Sequence, residues 1–172
     1  VVVLDLPVTF SMPALISGHR FPYRWNRAHK ARVGLLPRGG TGDQIVWHEV
    51  DPCYAFHVGN SFEDDRGQVV IDLCAYETIF DGDMPGPYGK PLGLERWTVD
   101  GKGGQVQRDV LDSSPQEFPR PDERFFTTDY RYLWSMGLPD DGDLEFVAAL
   151  SRLAHIDLEV VEFDFFSAGP LV

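Results

Sequence analysis

Cys53-Tyr54-Ala55-Phe56-His57-Val58-Gly59-Asn60-Ser61-Phe62-Glu63-Asp64 is a run of apolar and aromatic residues that carries one histidine and then turns polar. As extended chain its side chains alternate, so Tyr54, Phe56 and Val58 share one face while Cys53, Ala55, His57 and Gly59 share the other. The imidazole of His57 then stands among small neighbours, with open space before its ring of the kind a bound metal or substrate requires. A hydrogen-bonded core histidine is the competing reading, and the run by itself leaves both open.

Turn chemistry brackets this run on both sides. Downstream, Asp64-Asp65-Arg66-Gly67 closes a hairpin into Gln68 to Thr78, where Val69, Ile71, Leu73 and Ala75 alternate with Val70, Asp72, Cys74 and Tyr76. Upstream, Arg32 to Arg38 and Gln44 to Val50 read as strands joined by the turn Gly39-Gly40-Thr41-Gly42-Asp43. A third hairpin joins Leu94 to Asp100 with Gln105 to Leu111 through Gly101-Lys102-Gly103-Gly104. Between the second and third hairpins, Asp81 to Gly93 is a Gly- and Pro-rich connection too long for a tight turn, suited to a lid or to plain surface.

The ends follow the same grammar. Val1 to Phe10 reads as a buried strand, and Ser11 to Asn26 as a loop rich in apolar side chains: Met12, Leu15, Ile16, Phe21, Tyr23 and Trp25. Because loops are ordinarily polar, such a loop either packs beneath another layer or lines an apolar entrance. Tyr132 to Leu138, Phe146 to Leu158 and Val160 to Phe166 read as further strands, with Leu144 to Leu153 also scoring as a short helix. Val1-Val2-Val3-Leu4-Asp5-Leu6 reads as mid-strand and Ser167-Ala168-Gly169-Pro170-Leu171-Val172 stops on a turn signal, so the expectation is an internal piece of a larger fold, within one domain.

Composition narrows the function classes. The 172 residues are 43% hydrophobic, enough for a core, and 13 Pro and 17 Gly spread between short apolar runs describe a loop-rich all-β protein. With 15 basic and 27 acidic residues the net charge is -12, which argues against nucleic acid and anionic membrane surfaces as partners. No run approaches the roughly 18 apolar residues of a membrane span. Cys53 and Cys74 lie in strand-like runs away from metal-ligand spacing, so buried free thiols in a reducing cytoplasm are expected. Strand patterning of this kind fits a sandwich, a barrel or a propeller and does not choose among them.

Phe56-His57-Val58-Gly59-Asn60-Ser61-Phe62-Glu63 resembles the Phe-His-x-x-Asn-Ala-x-Glu/Asp signature of the carotenoid cleavage oxygenases, a family that includes lignostilbene dioxygenases and apocarotenoid oxygenases; Ser61 stands where alanine is usual. Phe21-Pro22-Tyr23-Arg24-Trp25-Asn26 through Arg32-Val33-Gly34-Leu35-Leu36-Pro37-Arg38 is similar to a phrase of its bacterial members. Gln116-Glu117-Phe118-Pro119-Arg120-Pro121-Asp122, followed by Tyr130-Arg131-Tyr132, resembles the family's Glu-Phe-Pro-Arg-Ile-Asp and Arg-Tyr words, with Pro121 in the place of isoleucine.

The resemblance implies a seven-bladed β-propeller with a loop-built dome, of which this chain supplies roughly three blades. It implies that His57 is one of four histidines binding a non-haem Fe(II), and that Glu117 accepts a hydrogen bond from the far nitrogen of an iron-binding histidine. Read without the resemblance, Glu117 beside a Pro-rich turn is a solvated loop carboxylate. His19, His29, His48 and His155 are read as structural, and the other three ligands are expected outside this chain.

The implied reaction is dioxygen-dependent cleavage of a carbon–carbon double bond in a carotenoid or apocarotenoid, giving two carbonyl products. The implied partners are an apolar polyene or stilbene substrate and O2, with peripheral membrane contact by the full-length protein. A lignostilbene-type dioxygenase is the first rival and an iron-free propeller binding module the second; a retinoid isomerase of the same fold and a generic β domain stand behind them.

Overall fold

The computed structural model describes residues 1–19, 21–82, 89–101 and 104–138, together with the backbone of residues 152–157 and 163–167. The segment expected as one buried strand, Val1 to Phe10, is two half-buried ones, β1 (Val2–Asp5) and β2 (Val8–Phe10). Pro7 separates them, since it has no N–H to continue a ladder. The apolar segment expected as loop contains a short helix, α1 (Met12–Ile16), and β3 (Tyr23–Trp25), which pairs antiparallel with β2. The helix start carries two local signals that the apolar composition masked: the Ser11 side chain accepts the Ala14 N–H, and a proline sits in the first turn.

The three expected hairpins form. β4 (Arg32–Leu35) pairs with β5 (Val46–Glu49), and β6 (Tyr54–Glu63) with β7 (Gln68–Ile79). β8 (Gly89–Asp100) pairs with β9 (Gln107–Asp112). In the second turn the Asp64 carboxylate accepts the N–H groups of Arg66 and Gln68 while Gly67 takes a left-handed φ of 75°.

β8 begins at Gly89, five residues before the expected Leu94, so the strand absorbs part of the connection. Pro91 and Gly93 read as strand breakers, yet both sit where the register to β7 shifts, and irregularities of that kind admit them. At Gly93, φ is 93° and a Cβ would come within 2.0 Å of the Asp112 carbonyl oxygen, so only glycine fits. The lid-or-surface question for this connection falls largely on residues 83–88, outside the described residues.

β10 (Gln116–Pro121), β11 (Tyr132–Gly137), β12 (Arg152–Asp157) and β13 (Phe163–Ser167) are the remaining strands among the described residues. Most of the possible helix Leu144 to Leu153 lies outside the described residues, and its last two positions open β12. Among the described residues the strands make two four-stranded antiparallel meanders, β6-β7-β8-β9 and β10-β11-β12-β13, a three-stranded sheet β1-β4-β5, and the β2-β3 pair. Antiparallel meanders of four strands are the blade units of a propeller. No helix among the described residues is long and apolar enough to cross a membrane.

β7 shows why the sheets stack. Ile71, Leu73 and Ala75 join Val33, Cys53, Trp97 and Val99 in one core, against the β1-β4-β5 sheet. The alternate residues Val70 and Cys74 join Phe62, Leu94, Tyr130 and Leu133 in a second core, against the β10–β13 sheet. The alternation in the sequence is therefore real, but both faces are dry. Each fully buried aliphatic side chain contributes about 1.5–3 kcal/mol. Both cysteines are buried and free, and burial pushes the Cys53 thiol up to about 12, so neither is a ready nucleophile.

A polar cluster pins the second interface. Asp72, fully buried, accepts two hydrogen bonds from the Arg96 guanidinium and one from the Tyr130 hydroxyl. Asn60 saturates its amide on the segment between β10 and β11, donating to the carbonyls of Phe125 and Thr128 and accepting the Thr127 N–H. That anchorage holds Thr127 in a left-handed conformation.

Candidate functional site

β6 and β10 are the first strands of the two meanders, and they pack against one another without forming a ladder. Gly59 permits the approach: a Cβ there would lie 2.9 Å from Leu133 Cδ1 and 3.1 Å from Pro119 Cβ. Across this contact His57 Nδ1 lies 2.8 Å from Glu117 Oε2, although the two residues are 60 apart in the chain. The imidazole is 44% exposed and the carboxylate 6%. His57 is thus neither a packed core residue nor a free surface one, and Glu117 is no solvated loop carboxylate but a buried group on a strand.

The local backbone of β10 makes this arrangement. Its register to β11 slips between Glu117 and Arg120, a bulge at which Pro119 needs no ladder hydrogen bond. Phe118, at the bulge and before a proline, adopts φ 55°, a left-handed conformation that costs a phenylalanine about 1–3 kcal/mol. In exchange its N–H donates to Glu117 Oε2 at 3.1 Å and its ring lies over the imidazole, centroids 4.3 Å apart at 41°. The expectation that His57 has only small neighbours is corrected here. Nor do the four expected residues share a face: Cys53 and Ala55 pack into the core against the β1-β4-β5 sheet, the register to β7 shifts between Ala55 and Asn60, and His57 and Gly59 face β10 instead, where Phe118 is the large neighbour.

The chemistry of the pair follows from donors and acceptors. An ionised Glu117 can only accept, so Nδ1 carries the proton and donates it, which leaves Nε2 with its lone pair in the ring plane. Glu117 Oε1 is buried without a hydrogen-bond partner. The nearby Tyr76 phenol is held well above its ordinary range by burial first and next by the negative charge of Glu117. An aromatic row extends from the histidine. Phe56 contacts Tyr54, Tyr76 and Phe80 at centroid distances of 5.0, 5.5 and 6.4 Å, Phe80 leads on to Tyr23 at 6.0 Å, and Tyr23 to Phe10 at 6.2 Å. Tyr23 belongs to the segment expected to line an apolar entrance.

A lone-pair-bearing Nε2, oriented through its other nitrogen by a carboxylate, is the donor chemistry of a metal-binding histidine. The described residues fit one such ligand. They do not make a complete centre, because no group of three or more His, Cys, Asp or Glu side chains among them could hold an ion. Two of the other histidines are engaged elsewhere: His29 Nε2 pairs with Asp5 at 2.7 Å, and buried His48 holds its Nδ1 3.0 Å from the Gly104 carbonyl. His19 follows α1, its N–H donating to Ala14 O. His155 lies on β12, opposite Trp134 in register. Phe118 and Tyr76 escaped the sequence reading, and the one signal for Phe118 was its place before Pro119.

A family model described as retinal pigment epithelial membrane protein (RPE65) matches residues 1–171. The carotenoid cleavage oxygenase of Mycobacterium tuberculosis is 35% identical over 129 residues, which cover 72% of this chain and 26% of that protein. The isoeugenol monooxygenase of Pseudomonas putida is 31% identical over 144 residues, covering 78% and 29% respectively. The chain thus spans about a quarter of the length of the curated relatives it matches. Among solved structures, the lignostilbene dioxygenase of Pseudomonas brassicacearum superposes with a TM-score of 0.78 at 24% identity, over 98% of this chain and 38% of that one. A cobalt-substituted apocarotenoid oxygenase of Synechocystis gives 0.78 at 23%, over 98% and 36%. The meanders are accordingly blades of the seven-bladed propeller, of which this chain covers a part.

Proposed function

The chain belongs to the carotenoid cleavage oxygenase (RPE65) family, and on that premise we propose that the intact protein is a non-haem Fe(II) dioxygenase that cuts a carbon–carbon double bond of a carotenoid or apocarotenoid. One atom of O2 goes to each carbon of the broken bond, giving two carbonyl products. His57 is one iron ligand and Glu117 its orienting partner; the other ligands come from the part of the propeller that this chain does not cover. The observation that carries the reading is the buried Glu117 carboxylate 2.8 Å from Nδ1 of a half-exposed histidine. A ferrous ion, when bound, supplies the redox chemistry that makes dioxygen reactive toward an alkene.

The residues of this chain supply the rest of their share. Glu117 fixes which nitrogen of the neutral imidazole carries the proton, leaving the Nε2 lone pair for the metal, and sets the direction of the ring edge. Burial of that carboxylate behind β6 keeps it from competing for the metal. The row from Phe56 through Phe80 to Tyr23 and Phe10 offers ring faces without formal charge, suited to a conjugated apolar chain. The rival substrate class is a phenylpropenoid or stilbene, favoured by the similarity to isoeugenol monooxygenase.

The test is anaerobic purification of the intact protein, iron quantification, and aerobic incubation with apocarotenoids, stilbenes and isoeugenol. One iron per chain and aldehydes from the polyenes are expected. Aldehydes from the phenolic alkenes alone would transfer the assignment to the rival class. Absence of iron even after Fe(II) addition would leave a propeller binding module.

Glu117→Gln supplies a second check. The amide keeps the shape but loses the charge that dictates which imidazole nitrogen is protonated, and changes of this type typically cost about 10–100-fold in metal affinity. Competition against a chromophoric chelator measures it, and wild-type affinity in the variant would remove Glu117 from the site.

A further inference from the structure

Phe118 is the least economical residue of β10 by ordinary folding criteria. It is a large apolar side chain left 41% exposed. Its backbone is left-handed at φ 55°, a conformation that glycine adopts without cost. The contact of β10 with β6 at Gly59 is filled by Leu133 and Pro119. What the conformation achieves is local: the N–H of Phe118 meets Glu117 Oε2 and its ring meets the His57 ring.

Two independent rotations orient an imidazole. A hydrogen bond at Nδ1 sets the direction of the ring edge, but by itself leaves the ring free to rock about the Nδ1···O line. A second ring against its face removes that freedom. Glu117 does the first, and the tilted contact at 4.3 Å is placed to do the second. The bulge is braced from behind, with Ser135 donating to Gln116 Oε1 and the Gln116 amide donating to Asp112, so the strain is held rather than relaxed.

We infer that Phe118 is a positioning residue, whose ring against the His57 face aims Nε2 at the metal, and that the strained backbone of β10 serves this contact. The inference rests on the reading of His57 as a ligand. It predicts a division of labour: Glu117 sets the tautomer, and Phe118 sets the rigidity.

The experiment compares wild type, Phe118→Gly, Phe118→Ala and Phe118→Leu in the intact protein with isotope-labelled histidine. The metal-free proteins are examined by NMR for the His57 tautomer and ring mobility, and Co(II) affinity is then measured by chelator competition. In the glycine and alanine variants the Nδ1–H tautomer is expected to persist while ring mobility rises and Co(II) affinity falls about 10-fold. Leucine is expected to recover most of both. Glycine relieves the backbone strain, so its thermal midpoint should equal or exceed that of alanine; weaker metal binding in the more stable variant separates positioning from a structural role. Unchanged ring mobility in Phe118→Gly overturns the inference, as does loss of the tautomer. If wild type binds no metal, the oxygenase reading fails, and the metal-free NMR comparison still decides whether Phe118 orders His57.

Discussion

His57→Ala in the intact protein is expected to lower bound iron from one per chain to background and to abolish double-bond cleavage. Alanine removes both ring nitrogens, and His29 and His48 are already engaged, with Asp5 and with the Gly104 carbonyl. The change also leaves the buried Glu117 Oε2 with the Phe118 N–H alone, and loss of a hydrogen bond to a charged group costs about 1.5–3 kcal/mol. A modest fall in thermal midpoint therefore accompanies loss of iron without signifying unfolding. Because the imidazole is half-exposed, free imidazole added to the variant has a path into the space, and partial recovery of metal would tie the loss to the missing nitrogen. Colorimetric iron determination beside a thermal scan decides the matter. Wild-type iron content in His57→Ala would sink the assignment.

Asp72→Ala is expected to be the most destabilising single change in the described polar network. Asp72 is fully buried, with the Arg96 guanidinium and the Tyr130 hydroxyl both aimed at it. Burial first, and then the charge of Asp72, hold the Tyr130 phenol far above its ordinary range, so that hydroxyl remains a donor. Breaking a buried ion pair by removing one partner costs about 3–5 kcal/mol. Arg96 retains some exposure, so water can follow its guanidinium, and the lower end, about 3 kcal/mol, is the figure expected. The double variant Asp72→Leu with Arg96→Met should be less destabilised than Asp72→Ala, since it removes the orphaned charge as well. Chemical denaturation of the variants tests this. Equal loss in the single and double variants would show that the pairing contributes nothing beyond packing. The consequence reaches the site, because Asp72 joins β7 and β8 to the segment before β11, clamping together the sheets that carry His57 and Glu117.

Legibility varied with the physical range of the signal. Hairpins were readable because a turn such as Asp64 to Gly67 is decided by a few adjacent residues, through an Asp side chain on nearby N–H groups and a glycine at positive φ. The short α1 was missed because an apolar helix of five residues has no periodicity to see, and only Ser11 and Pro13 mark it. The start of β8 was missed because Pro91 and Gly93 are breakers in general and tolerated at this bulge in particular. Glu117 looked solvated when read without the family resemblance. What buries it is β6, brought against β10 from 60 residues away through a glycine that no local rule singles out.

By itself the sequence determined the all-β class, the three hairpins and the two alternating faces of β7, because each depends on side-chain period or turn chemistry within a dozen residues, and the motif around His57 made that residue a candidate. Only the tertiary structure decided that both β7 faces are dry, that Glu117 is the partner of His57 itself, and that Phe118 covers the imidazole. These depend on which strands of different sheets touch, and such contacts between residues far apart in the chain leave no mark in either strand alone.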